Sequence, residues 1–481
     1  MFESLGRFLI IILIASVAGL GIGWLFLSTV ERSERKEEKK ETKKKDALNA
    51  LLANLKASKG DTEASATSQI TLALTNLAKQ RRRPENMQHF DSIARFQGER
   101  IDEIEAFKKA GGKVVGFFCA FVPIELIYAS GALPLRLDSG LYCTVAPSEQ
   151  LLPSDACPVV KSTLGTEMLE LSPYFKSCDV FVCPCSCDMK TKVADVLEDF
   201  VPIWRLEVPR YKDEDWTKRA WQNEINSFAR SLEKLTGQKI TREALRRSLE
   251  SAQDARTVFH HLRELRKTKP PPISGRDAML VTQATAYDDL QRWTEKTSEL
   301  CGELEQRIEN KITVADSDAP RIMLAGSPIV WPNWKIPILV EESGAVIVCD
   351  ELCTGDQGTL SDPVNVDEWT MKGMLAALAD RYLLPITCPC FTPNDKRIDK
   401  IVRMVRDFAV DGVVYHQLRG CYVHKIEFNR IRTALKDLQV PVLGIETDYT
   451  QEDLGQLRTR MEAFLEMIQS AKQVFATEMT Q

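Results

Sequence analysis

"CDVFVCPCSCDMKTKVADVL", residues 178–197, runs from a hydrophobic stretch straight into a helical pattern and sets four cysteines within its first ten positions. The apolar stretch reads as a buried strand and the mixed periodicity after it as a helix. The same step recurs on both sides. Upstream, "GKVVGFFCAF" reads as a strand, "PIELIYASG" as a helix closed by Gly131, "LPLRL" as a second strand and "CPVVKSTLGTEMLEL" as the start of another helix. Downstream, "VPIWRLEVP" is strand again. Strand–helix–strand units of this length predict a doubly wound parallel sheet.

Residues 211–311 break the alternation. "WTKRAWQNEINSFARSLEKLTGQKITREALRRSLESAQDARTVFHHLRELR" keeps a 3.6-residue periodicity, so this region is expected to be a helical bridge, interrupted at "KPPPISG". Strands return at "RIMLAGS", "GAVIVCDE", "DGVVYHQLRGC" and "VPVLGIETD", with helices between them and a last helix at "QEDLGQLRTRMEAFLEMIQSAK". The chain is thus divided into a first α/β domain at 83–210, a bridge at 211–311 and a second α/β domain at 312–475.

What precedes residue 83 is of another kind. Residues 8–30, "FLIIILIASVAGLGIGWLFLSTV", are uncharged and long enough to span a bilayer. Eight Lys and Arg follow between Arg32 and Lys45, against Arg7 alone before the apolar run. The positive-inside rule then predicts a single-pass anchor in the cell membrane with the soluble body in the cytoplasm. Residues 31–82 read as a charged, then Ala/Ser/Thr-rich, flexible tether, partly helical around "DALNALLANLKAS". A net charge of −5 and no basic stripe give no sign of a nucleic-acid partner.

Thirteen cysteines are too many to ignore, and an odd count in a chain of 481 residues argues against a disulfide framework. In open α/β sheets ligands gather at the carboxyl ends of strands, and the thiols fall there. Cys187 follows one strand, Cys349 and Cys353 end another, Cys388 and Cys390 precede a helix, Cys421 follows "GVVYHQLRG", and Cys157 opens a helix. On an extended path Cys183, Cys185 and Cys187 would face one side. The helix after Cys187 adds partial positive charge, which favours thiolate. Paired C-x2-C zinc spacings and bacterial-ferredoxin runs are both absent. An iron–sulfur cluster held by distant strand ends, a zinc site, and buried or redox cysteines all stay open on spacing alone.

Six blocks together resemble the 2-hydroxyacyl-CoA dehydratase and benzoyl-CoA reductase family: "GFFCAFVPIELIYASGALPLRL", "DACPVVKSTLG", "CDMKTK", "CTG", "CPCFTPNDKR" and "DGVVYHQLRGC". "VPVLGIETDYTQEDLGQLRTRMEAFLEM" is similar to its carboxyl-terminal block, and the likeness runs from about Gly112 to Ile468. The resemblance implies two flavodoxin-like domains around a 4Fe-4S cubane, with Cys157, Cys187 and Cys421 as its protein ligands. It also implies an ATP-dependent iron–sulfur activator protein as electron donor, and a homodimer or a heterodimer with a related subunit. In the dehydratases the electron makes a ketyl radical that expels a neighbouring hydroxyl. In the double-cubane branch an 8Fe-9S cluster performs reductions. This chain writes "CPCSCD" where dehydratases usually have "TTCD", so Cys183, Cys185, Cys353, Cys388 and Cys390 are further candidate ligands. The surplus of thiols and the anchor favour the reductase branch over a dehydratase component. A non-catalytic electron-relay protein is the reading of another class. Glu446, Asp448 and His416 are candidates for acid–base work, weighed against capping and structural roles.

Overall fold

A computed structural model describes residues 59–478 apart from 359, together with scattered positions between 33 and 55. The expected anchor at 8–30 lies outside the described residues; among the described residues no helix is long and apolar enough to cross a membrane. Residues up to Asp61 form one unit and Thr62–Gln481 another. Apart from residues 59–61, everything below belongs to the second unit.

Its frame is two four-stranded parallel sheets. The first comprises β1 (Val114–Phe117), β2 (Leu133–Arg136), β3 (Val180–Pro184) and β4 (Ile203–Leu206), in the order β2-β1-β3-β4. The second comprises β5 (Arg321–Gly326), β6 (Val346–Asp350), β7 (Gly412–Leu418) and β8 (Val442–Thr447), in the order β6-β5-β7-β8. This is the flavodoxin-like order, repeated. β1, β3, β5, β6 and β7 are buried at every position, which is why they read as unbroken apolar runs rather than alternating ones. The edge strand β8 is only partly buried.

Between the sheets run four helices, Asp215–Thr236, Arg242–Leu265, Gly275–Ala284 and Leu290–Glu309. Their ends are written locally. Gly237 stops the first in a left-handed turn, while the side chains of Thr241, Ser274 and Asp289 accept first-turn N–H groups of the other three. One buried ion pair ties this layer to both sheets. Arg256 donates to Glu125 of the short helix between β1 and β2, and the Tyr382 hydroxyl, at the end of a helix between β6 and β7, donates to the same carboxylate at 2.8 Å. All three side chains are essentially inaccessible.

One expectation changes. Part of the region read as a flexible tether is the 20-residue helix Lys59–Ala78. Ala66, Ala73, Leu74 and Leu77 are buried, and the Gln69 side chain accepts the Tyr142 N–H at 2.8 Å. Packing of one face orders a segment whose Ser/Thr-rich composition favours no regular structure.

Glu125→Ala is expected to lower the free energy of unfolding by about 3–5 kcal/mol, because it strands the Arg256 guanidinium in a dry interior. A urea titration followed by circular dichroism measures it; a change under ~1 kcal/mol would mean that the pair is not what joins the layers.

Candidate metal centre

In a 2-1-3-4 sheet the chain leaves the first strand one way and returns on its other side. The loops therefore part at the carboxyl ends of the two central strands and leave a crevice. In the first sheet that crevice lies beyond β1 and β3, where Cys119 and Cys187 stand; in the second it lies beyond β5 and β7, where Ser327 and Cys421 stand.

Cys157, Cys187 and Cys421 share a position type. Each is the N-cap of a helix: Pro158–Met168, Asp188–Leu197 and Tyr422–Lys436. First-turn N–H groups of Val159, Lys190 and His424 favour the thiolate at each in turn, as helix N-termini do for any anion. The structure brings Cys157 and Cys421 into hydrogen-bonding contact although they are far apart in the chain. Hydrogen bonding to Cys421, burial and the charges of Cys421 and Cys187 push the Cys157 thiol well up. The same bond, against burial but helped by the Ser327 hydroxyl, brings Cys421 down to about 7. Within the pair Cys157 holds its proton the more tightly and Cys421 gives it up the more readily. Cys187 lies within electrostatic reach of both; burial raises it to about 11, with the Lys190 charge opposing.

Gly420 makes the contact possible. It has φ +75°, and a Cβ there would lie 2.3 Å from the Asp155 carbonyl oxygen and 2.9 Å from the Cys157 nitrogen. Two backbones meet face to face, which only glycine permits.

A polar group beside the trio went unread in the sequence. Lys190 Nζ stands 2.8 Å from the Cys119 Sγ and 3.3 Å from Asp138 Oδ1. Arg136 donates to Asp138 at 2.6 Å and to the Cys353 carbonyl at 2.7 Å, with a longer approach of 3.8 Å to the Cys353 Sγ. Cys119 itself has φ +61°, a strained conformation for a non-glycine residue at a strand end. Its position just past β1 matches that of the other thiols and was the available signal.

Residues 119–468 match the family model of the 2-hydroxyglutaryl-CoA dehydratase D-component. The chain belongs to this family. Among its curated relatives, it is 30% identical over 381 residues to "Putative dehydratase subunit YjiM" of Escherichia coli (strain K12), covering 79% of this chain and 97% of that one. It is 23% identical to the (R)-phenyllactyl-CoA dehydratase beta subunit of Clostridium sporogenes over 75% of this chain and 93% of the relative. It is 22% identical to one of the benzoyl-CoA reductase subunits of Thauera aromatica over 74% and 91%. The D-component family is one of lyase- and reductase-type enzymes, and the chain is one of its components.

The other candidate residues fall in different surroundings. β3 ends at Pro184, so the alternation that would align Cys183, Cys185 and Cys187 stops with it. The Cys183 thiol donates to the Lys190 carbonyl at 3.2 Å, whereas Cys185 sits by Glu207 and Thr191, raised by burial to about 11. Burial raises Cys353 to about 12 against the charges of Arg136 and Lys190. Cys388 and Cys390 form a second hydrogen-bonded thiol pair with Arg397 and Lys212 as neighbours. His416 donates from Nδ1 to the Ser327 carbonyl at 3.0 Å and burial lowers it to about 4, so it stays neutral and supports the loop that carries Ser327. Glu446 pairs with Lys425 at 2.9 Å on the surface. Burial works to raise Asp448, but hydrogen bonds from Thr450 and the Arg419 charge hold it low, so it serves as a turn cap.

Among the described residues no three His, Cys, Asp or Glu side chains close on one point as for a single metal ion. The donor set fits a multinuclear cluster better: three thiols, each at a helix N-terminus, with a buried cation alongside. Nearby, a cavity of about 280 Å³ reaches Asp138 and Ser139, with Glu63, Ala66, Thr67 and Ile70 of helix Lys59–Ala78 on one side. That helix lies outside the family match.

Cys421 is expected to alkylate with iodoacetamide in the metal-free protein at a rate that rises through pH about 7. In Cys157→Ala the hydrogen bond is gone and the midpoint moves up toward the ordinary thiol value of about 8.5. An unmoved midpoint would show that the two thiols do not share a proton.

Proposed function

We propose that the chain is an iron–sulfur reductase of the 2-hydroxyacyl-CoA dehydratase family, held at the membrane by residues 8–30, with its body on the cytoplasmic side. An ATP-dependent iron–sulfur activator supplies its low-potential electrons. The observation that carries this reading is the meeting of Cys157 with Cys421 across two sheets, with Cys187 beside them, each at a helix N-terminus.

Cys157, Cys187 and Cys421 would hold a 4Fe-4S cluster. Three cysteines leave the fourth iron an open position, so the bound cluster supplies one-electron reduction at a site that a substrate can reach. The protein's share is electrostatic. Three helix N-termini favour the anionic ligands, and Ser327 donates to Cys421. In a double-cubane 8Fe-9S centre, further thiols are needed. Cys353, Cys388, Cys390, Cys183 and Cys185 remain the candidates; the charge of Cys353 acts on Lys190, and the Cys183 thiol donates to the Lys190 carbonyl.

A dehydratase component is the second reading. Its support is the relatives named as beta subunits, which also favours pairing with a related subunit over a homodimer. An electron-relay protein would instead carry a fully coordinated cluster.

The full-length chain, purified without oxygen in detergent, is expected to bind about four irons as a single cubane or about eight as a double one. Cyanide should alter the spectrum of an open-site iron and leave a closed relay cluster unchanged. Alanine at Cys157, Cys187 or Cys421 should reduce bound iron to background in each case. A protein holding zinc alone, or full iron in all three variants, would end the proposal.

A further inference from the structure

We propose that Lys190 is the charge-compensating residue of this centre, and that its ammonium group raises the reduction potential of the cluster bound by Cys157, Cys187 and Cys421. The inference rests on the iron–sulfur reading above and adds to it which residue of this chain sets the potential.

Lys190 belongs to the first turn of the helix that Cys187 opens. Its N–H faces the Cys187 thiol while its side chain crosses the crevice to Cys119 and Asp138. The ammonium also lies 4.8 Å from the centre of the Phe118 ring. The residue is 8% exposed, so water contributes little to solvating its charge. Its charge acts on Cys187, Cys353 and Cys421 as well as Cys119. It therefore sits among thiols from both sheets.

The local charges do not cancel. Lys190 and Arg136 bring two positive charges and share one carboxylate, Asp138. Tyr287 and Tyr449, also close to Asp138, are kept neutral by burial. A buried cation without its counter-ion is unfavourable; besides the Cys119 sulfur at 2.8 Å, an anion bound in the crevice would balance it. A cluster with three thiolates is such an anion, and it becomes more negative by one unit on reduction. A fixed positive charge in a low-dielectric site stabilises the reduced form more than the oxidised one. A compact ammonium on a flexible stem suits this placement better than a forked guanidinium.

The opposite charge makes the test two-sided. The full-length protein and three variants, Lys190→Met, Lys190→Arg and Asp138→Asn, are loaded anaerobically, assayed for iron, and titrated potentiometrically by electron paramagnetic resonance. Lys190→Met is expected to keep its iron and titrate at a more negative potential, with Lys190→Arg close to the unmodified protein. Asp138→Asn, which removes the shared negative charge, is expected to titrate at a more positive potential. Full iron with an unmoved potential in Lys190→Met would overturn the inference, and so would shifts of the same sign in Lys190→Met and Asp138→Asn. Should Lys190→Met fail to load, Asp138→Asn decides alone: a positive shift supports the inference and none overturns it. An unmodified protein that takes up no iron at all removes the iron–sulfur reading itself, and the inference with it.

Discussion

The backbone of Gly420 rests on the backbone of Asp155–Cys157, and much of the centre follows from that contact. Cys157 belongs to the first sheet's connections and Cys421 to the loop after β7 in the second. Neither strand end offers more than one of these two sulfurs by itself. Their hydrogen bond requires the two loops to come within backbone distance, and any side chain at 420 would hold them apart. The left-handed conformation and the close approach act together, so glycine satisfies two constraints at one position. The sheets supply the rest of the frame. Their shared strand order opens a crevice in each, and the bridging helices, fastened through Arg256, Glu125 and Tyr382, keep the halves in register.

Electrostatics then sets these thiols apart from one another. A buried thiol ordinarily resists ionisation, and burial pushes up Cys187, Cys183 and Cys353 here. Cys421 escapes because donors surround it: Cys157, Ser327 and a helix N-terminus. Metal ligation by the other two would release protons, as ligand thiols generally do. The buried charges of Lys190 and Arg136 favour that release without occupying a coordination position.

The strands were legible because parallel strands buried on both faces leave apolar runs between turn residues, and the bridge because long helices leave their periodicity. Strand ends pointed to Cys187 and Cys421, a helix start to Cys157, and only the family likeness joined the three as one set. What escaped were features that depend on contacts between distant segments. Lys190 looks in sequence like any solvated lysine on a helix, since nothing local signals that Asp138, fifty-two positions earlier, folds over it. Cys119 reads as a core thiol until its strained backbone and its lysine partner are seen. The alignment expected for Cys183, Cys185 and Cys187 failed because an extended path was carried past Pro184, where β3 stops. Glu446 and Asp448 occupy the loop position where acid–base groups often stand, yet each is taken up by a neighbouring cation.

The helix Lys59–Ala78 carries a consequence of its own. It lies outside the region shared with the family, yet it forms one side of the chamber that reaches Asp138 and Ser139. Every thiol of the centre belongs to the shared region. The thiols and this wall of the chamber are therefore drawn from different parts of the polypeptide, one within the matched region and one before it. A substitution on that helix would reshape the chamber wall without touching any of the three thiols.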